Sequence, residues 1–293
     1  MGMLLAFDVG NTNTLIGLCR IPGPAIDHSS VIATWRVSTS ATRMPDEWYA
    51  LLDPLLRSSD CSGEQISAVV IGSVVPDVRR WLAEMCRTRL RLEPIVVSAA
   101  IETGIRVATE RPLATGADRI ANAVAARSIA GAPSIVVDFG TATNIEVIDQ
   151  RGDLIGGAIA PGAAMVLDVL TTRAAQLPMV PMQFPPTPGI GRDTAAAVQS
   201  GTVAGYLDLI EGTVRRIRDE LGVEAPVLTT GGMASLFVNA STVLERYEPL
   251  LTLLGLRAIA LLQEGVSDNR RRPARDVVAL NGDVALSDVL LIQ

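Results

Sequence analysis

The chain has 293 residues, enough for one large domain or two medium ones with substantial cores. Hydrophobic residues make up 48% and aromatic residues only 3%, the aliphatic balance of α/β enzymes, and a net charge of −6 lacks the basic footprint of a nucleic-acid binder. Three scattered cysteines (Cys19, Cys61, Cys86) argue against a disulfide framework, and a single histidine, His28, excludes a His-based triad or a His-rich metal site.

The chain opens on an apolar strand, Leu4 to Val9, that turns through Gly10-Asn11-Thr12-Asn13 into a returning run, Thr14 to Leu18. No targeting segment is read ahead of this strand, which with the reduced thiols predicts a cytoplasmic protein. Val31 to Val37 is read as a third strand. Trp48, Leu51, Leu52 and Leu55 give Asp46 to Leu56 a helical period. Ala68 to Ile71 is a buried strand, followed by a helix from about Pro76 to Thr88 and a strand from Pro94 to Val97. An Ala-rich helix opens at Thr115-Gly116-Ala117-Asp118-Arg119 and runs to about Ala130.

A strand pair from Ile135 to Ile148 follows, then a strand ending in the small-residue turn Gly156 to Gly162 and a helix from Ala163 to Ala174. Five prolines mark Leu177 to Gly191 as a long loop. Thr194 to Leu221 is helical with a break near Gly201 or Gly205, Pro226 to Thr230 is a strand with a Gly231-Gly232 turn, and Leu250 to Leu262 is a core helix. This last segment is the most apolar one, yet it stops at Gln263-Glu264 and contains Arg257, so no membrane span is expected. Beyond Glu264 a charge run, Asp268 to Arg275, reads as a solvated linker to a C-terminal extension. The expected division is 1–122, 123–265 and 266–293.

One pattern occurs twice. The run Phe7-Asp8-Val9-Gly10-Asn11-Thr12-Asn13-Thr14-Leu15 is echoed by Val137-Asp138-Phe139-Gly140-Thr141-Ala142-Thr143-Asn144-Ile145. Each is an apolar strand ending in Asp-x-Gly, then hydroxyl and amide side chains. Such a turn exposes backbone N–H groups to phosphate oxygens, with Ser, Thr and Asn adding donors. The aspartates repel phosphate, so their expected task is to hold a cation, directly or through water. Asp-x-Gly is also ordinary hairpin chemistry; its recurrence in two aligned copies is what favours a pair of loops facing across a cleft. Gly231-Gly232 is a candidate adenosine contact. Asp118 is the candidate on the acceptor side: at a helix start, free N–H groups and the helix dipole favour its ionised form. Arg119 is a candidate ligand for an anionic substrate group.

Together, Asp8-Val9-Gly10-Asn11-Thr12, Gly116-Ala117-Asp118-Arg119, Asp138-Phe139-Gly140-Thr141-Ala142-Thr143, Gly156 to Gly162, Ile190-Gly191-Arg192-Asp193-Thr194 and Thr230-Gly231-Gly232 resemble the bacterial type III pantothenate kinases. The resemblance runs in order to about Leu262. It implies an α/β fold of two similar ribonuclease H-like domains, with mixed sheets flanked by helices, as in the actin-like ATPase superfamily. It implies ATP-dependent phosphorylation of pantothenate to 4′-phosphopantothenate, the first step of coenzyme A synthesis. The implied cofactors are ATP, Mg2+ or another divalent cation, and K+ or NH4+. A homodimer is implied, with the helices around Gly205 as its surface.

By that likeness Asp8, Val9, Gly10, Asn11, Thr12, Asn13, Thr14 and Leu15 form the ATP phosphate loop, Thr141 contacts ATP, and Asp118 is the proton acceptor. Gly116, Ala117, Asp118, Arg119, Thr109 and Thr194 fall at substrate-binding positions, and Asp138 at a monovalent-cation ligand. The chain departs from the family pattern at Ser98 to Glu102, at Thr109 where a tyrosine is usual, at Arg111, and at Asn144-Ile145-Glu146. These departures sit on the acceptor side more than on the ATP side. They leave open a non-catalytic nucleotide-binding relative with an accessory role, or a kinase for another small hydroxy acid.

Overall fold

The structure is a computed structural model that describes residues 2–263 apart from positions 22, 175 and 188; the expected linker and C-terminal extension lie outside the described residues. The first half forms β1 (Met3–Val9), β2 (Asn13–Arg20), β3 (Val31–Ser38), α1 (Pro45–Arg57), β4 (Ile66–Ser73), α2 (Pro76–Met85), β5 (Ile95–Val96) and α3 (Ala117–Ala130). The second half forms β6 (Ser134–Phe139), β7 (Ala142–Ile148), β8 (Leu154–Pro161), α4 (Ala163–Arg173), α5 (Thr194–Gln199), α6 (Gly205–Leu221), β9 (Val227–Thr230), α7 (Ala234–Val238), β10 (Arg246–Tyr247) and α8 (Leu251–Leu262).

The two sheets have the same topology. The first runs β3-β2-β1-β4-β5 and the second β8-β7-β6-β9-β10. In each, the first three strands are antiparallel and the last two run parallel to the first. The echo in sequence is therefore an echo in space: β1 and β6 are the equivalent central strands, and the turn that leaves each carries Asp-x-Gly.

Burial follows from position in the sheet. Leu4, Leu5, Ala6 and Phe7 of β1 are all fully buried, since a central strand is covered on both faces. One face packs on α1 and α2 through Trp48, Leu52, Val78 and Leu82. In α1 the buried set is Trp48, Leu52 and Leu56, one true i, i+4, i+8 stripe, with Leu51 and Leu55 on its flanks. The outer face of the second sheet packs on α6 through Tyr206, Leu207, Ile210 and Val214.

Between the sheets lies a core to which both contribute: Leu4, Ala6 and Val70 from one, Val136 and Ile148 from the other, with α3 and α8 packed among them. Helix α8 follows the second sheet in sequence, yet it lies against β1 and β4 of the first. The alanines of α3 and Gly255 of α8 let the two helices approach closely; a Cβ on Gly255 would lie 1.9 Å from the carbonyl oxygen of Ala121. Arg257, fully buried, is satisfied by the backbone carbonyls of Arg20, Pro24 and Ala25 in the first lobe.

The helix expected to reach Thr88 ends as α-helix at Met85 and widens into a π turn over Cys86–Leu90. A second π turn, Ser200–Ala204, occupies the break expected near Gly201 or Gly205. Strand β10 and helix α7 are too short for periodicity to reveal. All three cysteines are buried thiols, and no helix of the described residues is long and apolar enough to cross a membrane.

Because Gly255 faces backbone rather than a yielding side chain, Gly255→Ala is expected to force α3 and α8 apart and cost about 1–3 kcal/mol. Urea denaturation measures this; an unchanged midpoint would show that the helix crossing tolerates a methyl group.

Candidate active site

The turn after β1 is closed by its own backbone and by one threonine. Gly10 N–H donates to Asn13 O at 3.0 Å, and Thr39, just past β3, donates its hydroxyl to Gly10 O at 2.8 Å and its N–H to Thr12 O at 2.9 Å. Buried Thr14 lies 2.9 Å from the same Thr39 hydroxyl. The turn after β6 is closed by Gly140 N–H donating to Asp138 O and Gly162 N–H to Thr141 O, both 3.1 Å. The two turns meet: Thr12 Oγ1 and Thr141 Oγ1 are 3.0 Å apart, across 129 positions of sequence.

Beneath this contact is a cleft of about 350 Å³. Its wall brings together Asp8, Gly10, Asn11, Thr12, Asn13 and Leu15 from the first loop, Asp138, Gly140 and Thr141 from the second, and Asp118 from the first turn of α3. Gly231 and Gly232 close one side. At Gly231, φ is +97° and a Cβ would lie 2.5 Å from Asp138 Oδ1, so both the turn and the carboxylate beneath it require glycine.

Other predicted residues stand behind or away from the wall. Val9 is buried in the core and Thr14 braces the loop. Gly116 and Ala117 support Asp118 at the start of α3 without lining the cleft. Thr109 pairs with Thr115, their hydroxyls 3.1 Å apart, and exposed Thr194 begins α5 behind its cap, Asp193. Arg119 turns inward to Glu146, with Nε 3.3 Å from Oε1.

Electrostatics set the chemistry. Burial, reinforced by Asp118 and Asp138 and opposed by Arg36, raises the Asp8 carboxyl to about 8. Burial raises Asp138 to about 6, against a hydrogen bond from Asn122 Nδ2 at 3.1 Å and with Asp118 adding to the rise. The ionised Asp118 expected from its place at a helix start meets a stronger opposing effect: burial lifts its pKa, and the bond from Arg119 N–H at 2.9 Å only moderates the rise. Glu146 is fully buried, its Oε2 has no hydrogen-bond partner among the described residues, and burial with nearby Asp138 pushes its pKa well up despite Arg119.

Three carboxyls held above their ordinary range line one cleft and present hard oxygen donors to it. No group of three or more metal-ligating side chains gathers within reach of one ion among the described residues. The fit is to a cation completed by water or phosphate oxygens, not to a closed protein cage.

Sequence reasoning missed Arg36, Asn122, Tyr247, Pro249 and Thr252. Arg36, Tyr247, Pro249 and Thr252 line the cleft, and Asn122 bridges Asp138 to Thr252, whose hydroxyl donates to Asn122 Oδ1 at 2.8 Å. The available signal was a polar residue within an apolar stretch of each of two helices, Asn122 between Ile120 and Val124 in α3 and Thr252 between leucines in α8.

Two like lobes with paired Asp-x-Gly turns over a common cleft define the fold of the actin-like ATPases and sugar kinases. A solved activator of the 2-hydroxyisocaproyl-CoA dehydratase from Clostridium difficile, with bound ADPNP, shares this fold with a TM-score of 0.52 at 12% identity, over 91% of this chain and 96% of that one. The family model described as Type III pantothenate kinase matches residues 4–216. A type III pantothenate kinase of Thermomicrobium roseum is 45% identical over 256 residues, 87% of this chain and 96% of the relative. One of Frankia alni is 44% identical over 259 residues, 88% and 98% of the two chains. The chain belongs to the type III pantothenate kinase family.

The raised carboxyls carry a stability signature. With a folded pKa of about 8 against an ordinary 3.8, Asp8 binds a proton in the folded state that the unfolded state has lost. The associated stability is present in full below pH 4 and is lost as pH rises toward 8. The melting temperature of the ligand-free protein is therefore expected to gain a declining component between pH 5 and 8.5 that Asp8→Asn flattens. Equal slopes in the two proteins would contradict the burial of this charge.

Proposed function

We propose that this protein phosphorylates pantothenate with ATP, giving 4′-phosphopantothenate and ADP at the first step of coenzyme A synthesis. The observation that carries the reading is the meeting of the two loops through Thr12 and Thr141 over a cleft that also contains Asp118. In this reading the backbone of residues 8–15 and the turn at Thr141 hold the triphosphate from opposite sides, and lobe closure excludes water so that ATP is not hydrolysed.

Asp118 accepts the proton of the pantothenate hydroxyl as its oxygen bonds to the γ-phosphorus and the bond to the β–γ bridging oxygen breaks, releasing ADP. Phosphoryl transfer has a loose transition state, so the hydroxyl needs alignment and late proton removal more than a strong base. Burial raises the Asp118 pKa, which makes its carboxylate a better acceptor for that proton than an exposed one. A divalent cation, when bound, offsets charge on the phosphate oxygens. Asp8 and Asp138 are its proposed neighbours, with Asp138 the proposed ligand of K+ or NH4+.

Gly116, Ala117 and Arg119 frame the acceptor in this reading. Thr109 and Thr194, both off the cleft wall, would join it from the cleft's rim and from a second copy respectively. A homodimer is supported by the exposed apolar side chains Met165 and Val169 on α4 and Leu209 on α6. A cytoplasmic enzyme is supported by its use of ATP.

The test is ADP release in the presence of pantothenate, Mg2+ and K+. Asp118→Asn is expected to lower kcat about 10²–10⁴-fold with little change in ATP binding. Turnover by the wild type no higher than by Asp118→Asn would reject the assignment. Omitting K+ is expected to lower the rate, and an unchanged rate would remove the monovalent-cation role of Asp138.

A further inference from the structure

Strand register places a row of side chains on one face of the first sheet. Asp8 of β1 pairs with Leu15 of β2, and Leu15 pairs with Arg36 of β3. Directly opposed residues on neighbouring strands project to the same face, so Asp8, Leu15 and Arg36 form a line across the sheet, and all three line the cleft. On β3 the neighbours Trp35 and Val37 face the opposite way, into the core against α1 and α2. Arg36 is thus directed at the cleft by the pleat of its strand.

Its surroundings are unusual for an arginine. It is exposed, and no hydrogen bond or ion pair of its guanidinium is found among the described residues. It is the only cationic side chain in a wall that holds three carboxylates. It reaches across to the other lobe as well: Nη1 lies 4.0 Å from the point a Cβ on Gly232 would occupy. The guanidinium therefore sits between the first-lobe sheet and the second-lobe glycine turn, with its donors free.

The equivalent row in the second sheet ends differently. Asp138 pairs with Asn144, and Asn144 with Ile159. Where the first lobe offers a cation, the second offers an exposed aliphatic side chain. The duplication is thus broken in charge at the edge of this row.

We propose that Arg36 is a further nucleotide-binding residue, whose guanidinium takes the anionic oxygens of the nucleoside triphosphate tail between the first-lobe loop and the Gly231-Gly232 turn. The inference rests on the reading of the cleft as an ATP site and adds a residue to it. Arginine suits the task because its planar fork donates two parallel bonds to a phosphate group and keeps its charge at any working pH. It also supplies the positive charge that the three carboxylates lack. Bound from β3, the tail would be tied to both lobes by a single side chain.

The test is calorimetric binding of MgATP, ADP and adenosine to the full chain, with Arg36→Gln and Arg36→Lys beside the wild type, and thermal unfolding of each to verify the fold. Arg36→Gln is expected to weaken MgATP about 10- to 100-fold, to weaken ADP less, and to leave adenosine unchanged. Arg36→Lys should recover part of the loss, since it restores the charge without the fork. In turnover, KM for ATP should rise while KM for pantothenate stays constant. Unchanged MgATP affinity in Arg36→Gln, or an equal loss for adenosine and ATP, would overturn the proposal. Absence of MgATP binding by the wild type would instead sink the ATP-site reading on which it stands.

Discussion

Negative charge is crowded into one small volume of this fold. Asp8, Asp118 and Asp138 share one cleft, each held by burial above its ordinary pKa, and a single arginine faces them. Without a ligand, such a site resists ionisation of its carboxyls, most of all at Asp8. A cation bound there would replace the carboxyl protons and could bring a polyanion with it. In the proposed reaction, the same arrangement that disfavours charge in the empty site would favour a metal-bound triphosphate, with binding energy used to ionise the carboxyls.

The packing that makes this crowding possible is the sandwiching of α3 and α8 between two copies of one sheet. Helix α3 presents Asp118 from its first turn and Asn122 one turn later, while α8 presents Thr252 to Asn122. A hydrogen-bond chain thus runs from α8 through α3 to the carboxylate at the end of β6. Close approach at Gly255 keeps the chain short. Because α8 also rests on β1 and β4 and donates Arg257 to the first lobe, the helix that braces the second-lobe aspartate is anchored in the first.

Much of this was legible before any coordinates. The continuous apolar runs of β1 and β6 and the repeated Asp-x-Gly turns carry the duplication, and the order of strands and helices in the first half follows from periodicity alone. The cleft's floor was legible because strand, carboxylate and glycine occur together in sequence. Its walls were not. Arg36 reads as an ordinary polar position in an alternating edge strand, and only the register that aligns it with Leu15 and Asp8 shows where it points. Asn122 and Thr252 are 130 positions apart and acquire meaning only when two helices touch. The ionisation of Asp118 was misjudged for a related reason: the dipole at its helix end is local and visible in sequence, whereas the burial that outweighs it arises only in the folded cleft.

The most direct measurement is a crystal structure with a non-hydrolysable ATP analogue, Mg2+ and pantothenate together. Phosphates are expected between residues 10–13 and 140–142, with the pantothenate hydroxyl within hydrogen-bonding distance of Asp118 and in line with the γ-phosphorus. A triphosphate bound to one loop alone, or an acceptor hydroxyl remote from Asp118, would contradict it.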